Sequence, residues 1–231
     1  MDQQHKILFT GLTGNLGREI IPLLKKNNYI IYTTYKYQKE LDSLSKDDSK
    51  FINPIKCDLL SEKDIIKMTN EFKIEKLHFN SIVNLVGGFI YKDFISSNIE
   101  DVKKMMEINL YSVFNICKHS PQILLTSHNK SIINMLTPYA EKPTTGVSAY
   151  SSSKAALLNL SKSMAIEFQR YDIRVNSIMT DTIDTPSNRL EMPDANFYKW
   201  IKPMQIFNAI KMLISRESKF INGEIIKLSN E

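Results

Sequence analysis

Short runs of apolar and β-branched residues alternate along this chain with stretches whose apolar positions recur every three or four residues, which is the pattern of strands alternating with helices. Residues 6–10, 29–34, 51–57, 81–88, 131–137, 173–179 and 223–228 read as strands. Leu16, Ile20, Ile21 and Leu24 make one helical face; Ile65, Ile66, Met68 and Phe72 make another, opened by Ser61 as a cap. A helix is expected over residues 99–119, with Val102, Met105, Met106, Asn109, Val113 and Phe114 on its apolar side. Others are expected from the Tyr150 region to residue 168 and over 203–215.

Pro54 makes the third strand irregular or an edge. The alternation implies an α/β fold of Rossmann type, a doubly wound parallel sheet of about seven strands flanked by helices. One globular domain over residues 1–231 is expected. Two stretches interrupt the pattern. Residues 138–147 carry two prolines and a glycine and read as a loop leading into the Tyr150 helix. Residues 180–202 form a long polar segment with Pro186 and Pro193, expected to be a substrate lid because loops of that length in compact domains tend to be functional.

Composition narrows the function classes. The net charge of +5 is spread among interleaved acids and bases, so no basic face points to nucleic acid. Cys57 and Cys117 lack metal-ligand spacing and read as buried free thiols of a reducing compartment, and His5, His78, His119 and His128 show no ligand spacing either. No metal is expected. The chain has no apolar run of membrane-spanning length and no cleavable leader, so a cytoplasmic protein with no membrane partner is expected.

Two motifs carry chemistry. Gly11-Leu12-Thr13-Gly14-Asn15-Leu16-Gly17 lies between the first strand and the first helix, where backbone N–H groups can approach a pyrophosphate at the helix N-terminus. At the end of the second strand stand Tyr35-Lys36, with no acid until Glu40; a base there suits the 2′-phosphate of NADP, and an acid would suit the ribose of NAD. The second motif is Tyr150 and Lys154, one helical turn apart and therefore stacked on one face. Alone, that spacing is as well explained by a packed ring and a solvated lysine. In a site, a neighbouring ammonium would draw the phenol's pKa toward the operating pH of a general acid.

The order of these features resembles the short-chain dehydrogenase/reductase family over essentially the whole chain. The family's nucleotide-binding glycines match Gly11, Gly14 and Gly17, its adenine-contacting acid matches Asp58, its strand-end motif matches Asn84-Leu85-Val86-Gly87, and its asparagine matches Asn109. Tyr150 and Lys154 match its catalytic pair, Thr137 stands where most members have serine, and Thr185 matches the threonine that holds the nicotinamide amide.

The resemblance implies an enzyme that moves hydride between nicotinamide and a small carbonyl or hydroxyl compound. Tyr150 would be the proton donor, Lys154 its modulator and ribose ligand, Thr137 the hydroxyl that polarises the acceptor, and Asn109 the holder of a relay water. It places the cofactor, NADP(H) in preference to NAD(H), against Gly11, Thr13, Gly14, Asn15, Leu16, Gly17, Lys36, Asp58, Leu59, Asn84, Gly87, Tyr150, Lys154, Ile183 and Thr185. It places substrate near Tyr139, Arg189, Phe197 and Trp200, and implies a homodimer or homotetramer.

The spacing of Gly11, Gly14 and Gly17, together with Asp184-Thr185-Pro186, Asn188-Arg189, Met192-Pro193, Phe197 and Trp200, is similar to the dihydropteridine reductase branch, whose substrate is a quinonoid dihydropterin. Other readings stay open. Asn109 could satisfy backbone groups at a helix kink, Thr137 could cap a strand end, Phe197 and Trp200 could pack the lid, and Arg189 could face solvent. Departures at Asn15, Thr137 and Thr180-Asp181 motivate a dinucleotide-binding sensor or scaffold without turnover as the competing class.

Overall fold

The structure is a computed structural model that describes residues 4–124 and 129–229; His128 lies outside the described residues. Its elements follow the expected alternation. Strand β1 (His5–Thr10) leads to helix α1 (Asn15–Leu24), β2 (Tyr29–Tyr35), α2 (Gln38–Asp42), α3 (Lys46–Phe51), β3 (Asn53–Lys56), α4 (Glu62–Ile74) and β4 (Ser81–Asn84). Then come α5 (Ile99–Met106), α6 (Ser112–Lys118), α7 (Ser120–Ile123), β5 (Lys130–Leu136), α8 (Ser148–Glu167), β6 (Ile173–Thr180), α9 (Pro186–Glu191), α10 (Pro203–Ile214) and β7 (Ile225–Leu228). The strands form one seven-stranded sheet in the order β3-β2-β1-β4-β5-β6-β7, and every pairing is parallel.

The two-residue period of the strands sorts their side chains into two cores. Leu8, Ile82, Ile132 and Val175 face α4, α6 and α8, whereas Ile7, Phe9, Val83, Ile133 and Ile178 face α1 and α10. Pro54 sits in β3 at the sheet's edge, where its missing N–H removes no bond to a further strand.

The structure corrects several expectations. The helix of residues 99–119 is interrupted by a π turn at Glu107–Tyr111, which inserts an extra residue per turn and buries Asn109 completely. Phe114 and Ile66, read as core-facing, are 48% and 43% exposed, because each stands at the margin of its helix's apolar stripe. Helices α2 and α3 lack an apolar period, and neither has a buried residue. Residues 180–202 are not an open loop: they contain α9, a 3₁₀ turn at Phe197–Lys199 and a parallel bridge from Ile183 to Ile201.

Strand order reverses between β1 and β4, so their carboxyl ends flank a crevice. Gly11 has φ +72°, and a Cβ there would lie 2.7 Å from the Val86 nitrogen. Gly17 packs α1 onto the preceding turn, and a Cβ on it would fall 2.1 Å from the Leu12 carbonyl oxygen. Gly17→Ala therefore forces backbone movement and should lower unfolding free energy by about 2–3 kcal/mol. In a thermal melt the midpoint should drop by roughly 5–10 °C.

Candidate active site

At the crevice, Gly14 donates its N–H to the Gly11 carbonyl at 3.0 Å, closing a tight turn, and α1 begins with no side-chain cap on its first-turn amides. Those amides and the helix dipole make an anion cradle fit for a pyrophosphate. Thr10 and Asn84 are register partners in β1 and β4, and the Thr10 hydroxyl donates to Asn84 Oδ1 at 3.2 Å. Asn84 Nδ2 donates in turn to Asn134 Oδ1 at 2.8 Å, and Asn134 to Ser161 of α8 at 2.9 Å. A fully buried polar chain thus ties the glycine-loop strand to the helix that bears Tyr150 and Lys154.

Asn109 sits on the π turn and brackets two parts of the site. Its Oδ1 accepts from the Gly88 N–H at 2.9 Å, and its Nδ2 donates to the Gly88 carbonyl and to Ser153 Oγ, each at 3.0 Å. Ser153 Oγ donates to the Tyr150 carbonyl at 2.7 Å. Both amide hydrogens of Asn109 are committed, so its side chain fixes the glycine strand end against the Tyr150 helix. Ser153 was not among the expected site residues; its only sequence signal is its place between Tyr150 and Lys154.

Lys154 is buried, and its ammonium donates to the Met135 carbonyl at 2.9 Å. Burial lowers its pKa from the usual 10.5 to about 8. Tyr150 moves the other way: burial pushes the phenol up to about 12, partly opposed by a hydrogen bond with the Thr137 hydroxyl. No effect of Lys154 on that phenol is resolved, so in this state burial, not the ammonium, governs the proton on Tyr150.

Thr137 caps the turn that follows β5 and stands beside Tyr150. Besides the bond with Tyr150, its Oγ1 accepts a long 3.5 Å contact from Tyr139 N–H at the start of a 3₁₀ turn. Phe89, just past the glycines, packs edge-on to Tyr150 with centroids 4.9 Å apart. A Cβ on Gly87 would come 3.0 Å from Asn109 Oδ1 and 3.5 Å from Lys154 Nζ, so the strand end lies close against these two side chains.

The adenosine side of the crevice differs from the expectation. Lys36 pairs with Asp58 at 2.8 Å, so two residues assigned to the cofactor hold each other. Glu40, the first acid after β2, is carried back by α2. Its carboxylate accepts from the Tyr37 N–H at 2.9 Å, the Lys36 N–H at 3.3 Å and the Thr13 hydroxyl at 3.3 Å.

Beyond β6, Thr185 is buried and caps α9, its hydroxyl accepting from the Asn188 N–H at 3.3 Å, while Ile183 is held by its bridge to Ile201. Arg189 neither faces solvent unpaired nor stands free for an anion: Asp184 binds its guanidinium at 2.5 and 2.8 Å and also binds Lys202 at 2.5 Å. Arg189 lies over the Phe197 ring, which packs on the buried Trp200. Asp181 is an exposed loop acid.

Cys57 and Cys117 are buried free thiols pushed up to about 12, too protonated to act as nucleophiles. Among the described residues no cluster of metal-ligating groups occurs, and no helix is long and apolar enough to cross a membrane.

A family model described as Enoyl-(Acyl carrier protein) reductase matches residues 13–229. The chain is 24% identical over 233 residues to the 3-oxoacyl-acyl-carrier-protein reductase FabG of Thermotoga maritima, covering 95% of this chain and 94% of that protein. It is 27% identical over 189 residues to the NADPH-dependent 1-acyldihydroxyacetone phosphate reductase of Schizosaccharomyces pombe, covering 80% of this chain and 62% of that longer protein. Among solved structures, it is similar to a short-chain type dehydrogenase/reductase from Mycobacterium ulcerans, with TM-score 0.87 and 16% identity over 98% of this chain and 88% of the other. The ligand-free aldohexose dehydrogenase of Thermoplasma acidophilum matches with TM-score 0.83 and 22% identity over 98% and 92%.

Asp184 joins α9, the 3₁₀ turn and the start of α10 through its two cations. Arg189 and Lys202 hold its carboxyl well below the usual carboxylate range. Asp184→Asn should cost about 1 kcal/mol at neutral pH, since both partners are half exposed and screened. Amide hydrogen exchange should quicken over residues 183–202 and stay unchanged in β1, β4 and β5.

Proposed function

The chain belongs to the short-chain dehydrogenase/reductase family and is an NAD(P)-dependent oxidoreductase; from that premise we propose that it moves hydride between nicotinamide and a small carbonyl or hydroxyl compound, with Tyr150 as proton donor. The observation that carries this reading is a half-buried Tyr150 that keeps its proton beside the Thr137 hydroxyl, one turn from a buried Lys154 ammonium. The nicotinamide cofactor supplies the hydride when bound. The uncapped α1 terminus and the close backbone approach at Gly11 fit such a dinucleotide.

Thr137 and Tyr150 share a hydrogen bond, so an acceptor oxygen entering between them would meet two hydroxyl donors. With its pKa near 12, Tyr150 carries a proton at neutral pH and can deliver it to that oxygen. Lys154 keeps positive charge beside the site and can hold the nicotinamide ribose. Asn109 and Ser153 keep the strand end and the Tyr150 helix in register, which is the positioning part of catalysis.

Residues 180–202 form the substrate lid in this reading, with Thr185 holding the nicotinamide amide and Phe197 and Tyr139 near the acceptor. Lys36 attends the 2′-phosphate of NADP(H), the preferred dinucleotide. The named relatives that act on acyl or sugar compounds support a carbonyl compound as hydride acceptor, or the corresponding alcohol as donor in the reverse direction. The lid's likeness to dihydropteridine reductases keeps quinonoid dihydropterin in the acceptor panel. A second copy of the chain would seat on the apolar groove between α6 and α8, where Tyr111 and Phe114 lie about half exposed beside Leu160.

Absorbance at the reduced nicotinamide band, read against a panel of ketones, acyl thioesters and quinonoid dihydropterin, tests this. Tyr150→Phe should lower kcat/KM by about 10²-fold or more while the cofactor Kd stays within a few-fold. Binding without oxidation of the cofactor across the panel would favour the sensor instead. For the wild type, kcat/KM for reduction should decline above about pH 8, as Lys154 loses its proton. Tyr150, still protonated there, cannot cause that limb.

A further inference from the structure

We infer that the hydride acceptor carries an uncharged alkyl arm and that the loop after β4 seats it, with Phe89 and Tyr91 beside Tyr150 and Phe94 and Ile95 farther out. The inference deepens the oxidoreductase reading above and rests on Tyr150 as the proton donor, but not on the choice of dinucleotide.

Within residues 89–95, Phe89, Tyr91, Phe94 and Ile95 all stand in water, from 55% exposure at Phe89 to 97% at Ile95. Single exposed apolar residues are ordinary on a protein surface, whereas a cluster marks a place where something binds. The loop that carries this cluster is tied down at several points. Asn109 holds the Gly88 N–H and carbonyl, and the Lys92 N–H donates to the Gly146 carbonyl at 2.7 Å. Tyr91 packs on Gly146, which has φ +75°, and a Cβ there would fall 2.5 Å from the Tyr91 ring. Ser97 closes the turn that carries Phe94 and Ile95, giving both its N–H and its hydroxyl to the Asp93 carbonyl at 2.9 Å. A bonded backbone therefore presents these side chains to solvent.

What the cluster adjoins identifies its occupant. Phe89 meets Tyr150 edge-on with centroids 4.9 Å apart, so an exposed apolar ring stands directly beside the proton donor. An acceptor oxygen held by the Tyr150 and Thr137 hydroxyls leaves its carbon with two substituents, and one that leaves the site past Tyr150 runs onto that ring. There an alkyl arm displaces water from its own surface and from the ring's. Sugar hydroxyls would lose water and find few partners, because the Tyr91 phenol is the one hydrogen-bonding side chain in residues 87–91. Charge points the same way. Lys92 is paired with Asp101 at 2.7 Å and Asp93 is exposed, so residues 87–95 offer no free cation to an anionic arm. An extended arm, unlike a compact ring system, can also continue from Phe89 to Tyr91 and the turn beyond.

Oxidation of the reduced cofactor, read by absorbance, gives kcat/KM for two homologous series, methyl ketones from butanone to decanone and 3-oxoacyl thioesters of increasing chain length. Dihydroxyacetone and quinonoid dihydropterin serve as polar and planar comparisons. In the wild type kcat/KM should rise about twofold with each added methylene, the gain expected when an open rim covers half of it. Phe89→Ala should lower the octanone-to-butanone ratio about fivefold, and the double variant Phe94→Ser/Ile95→Ser about threefold. A variant that is merely misfolded loses both ketones equally and leaves that ratio unmoved. Reduction of butanone with no gain along either series, or a preference for dihydroxyacetone or dihydropterin over octanone, overturns the inference and leaves the oxidoreductase reading standing. A wild-type gain that survives in both variants removes the arm from this loop and overturns it as well. No gain along the series, together with loss of an oligomer in Phe94→Ser/Ile95→Ser on size-exclusion chromatography, gives the cluster to a second copy of the chain instead. If no acceptor oxidises the cofactor, this inference and the reading beneath it both fail.

Discussion

Strands β1 and β4 are hydrogen-bonded neighbours whose chains leave the sheet in opposite directions, and the gap this opens at their carboxyl ends is the constraint on which the site depends. Backbone must pass through that gap closely enough that no side chain fits between Gly11 and Val86. A buried row of Thr10, Asn84, Asn134 and Ser161 then ties the gap to α8, crossing the sheet without leaving its polar groups unpaired. Because that row is enclosed, its geometry is rigid, and the helix bearing Tyr150 and Lys154 is set relative to the glycine loop by hydrogen bonds and not by packing alone.

The same enclosure sets the proton positions. Taking a phenol and an ammonium out of water disfavours the charged form of each, so Tyr150 holds its proton more firmly and Lys154 less firmly than in solution. The Met135 carbonyl gives the ammonium a fixed acceptor, and Thr137 shares its hydrogen with the phenol. A proton donor and a nearby positive charge are thereby held apart on separate partners, with Phe89 shielding the tyrosine ring from one side.

Charge also organises the segment after β6, by different means. Asp184 gathers Arg189 and Lys202, Arg189 covers Phe197, and Phe197 packs on Trp200, so that polar and aromatic contacts close a stretch with few apolar residues. Trp200 and Ile201 then anchor it to the body of the protein.

The sheet, its edge strand with Pro54 and its two-faced helices were legible in the sequence, because strand and helix periods are local properties and each strand carries an apolar residue for each face. The glycine turn and the Tyr150–Lys154 pair were legible for the same reason, both lying within a single turn of chain. What only the tertiary structure decided are relations between distant segments. The π turn that buries Asn109 is invisible in a helical pattern, since one extra residue scarcely changes the period. The commitment of Arg189 to Asp184 and of Lys36 to Asp58 depends on how loops fold back, and charged residues look alike in sequence whether paired or solvated. Glu40 shows the difference most directly: counted along the chain it stands well past β2, but a helix shortens each step to about 1.5 Å, and α2 returns its carboxylate to the end of the strand beside Thr13.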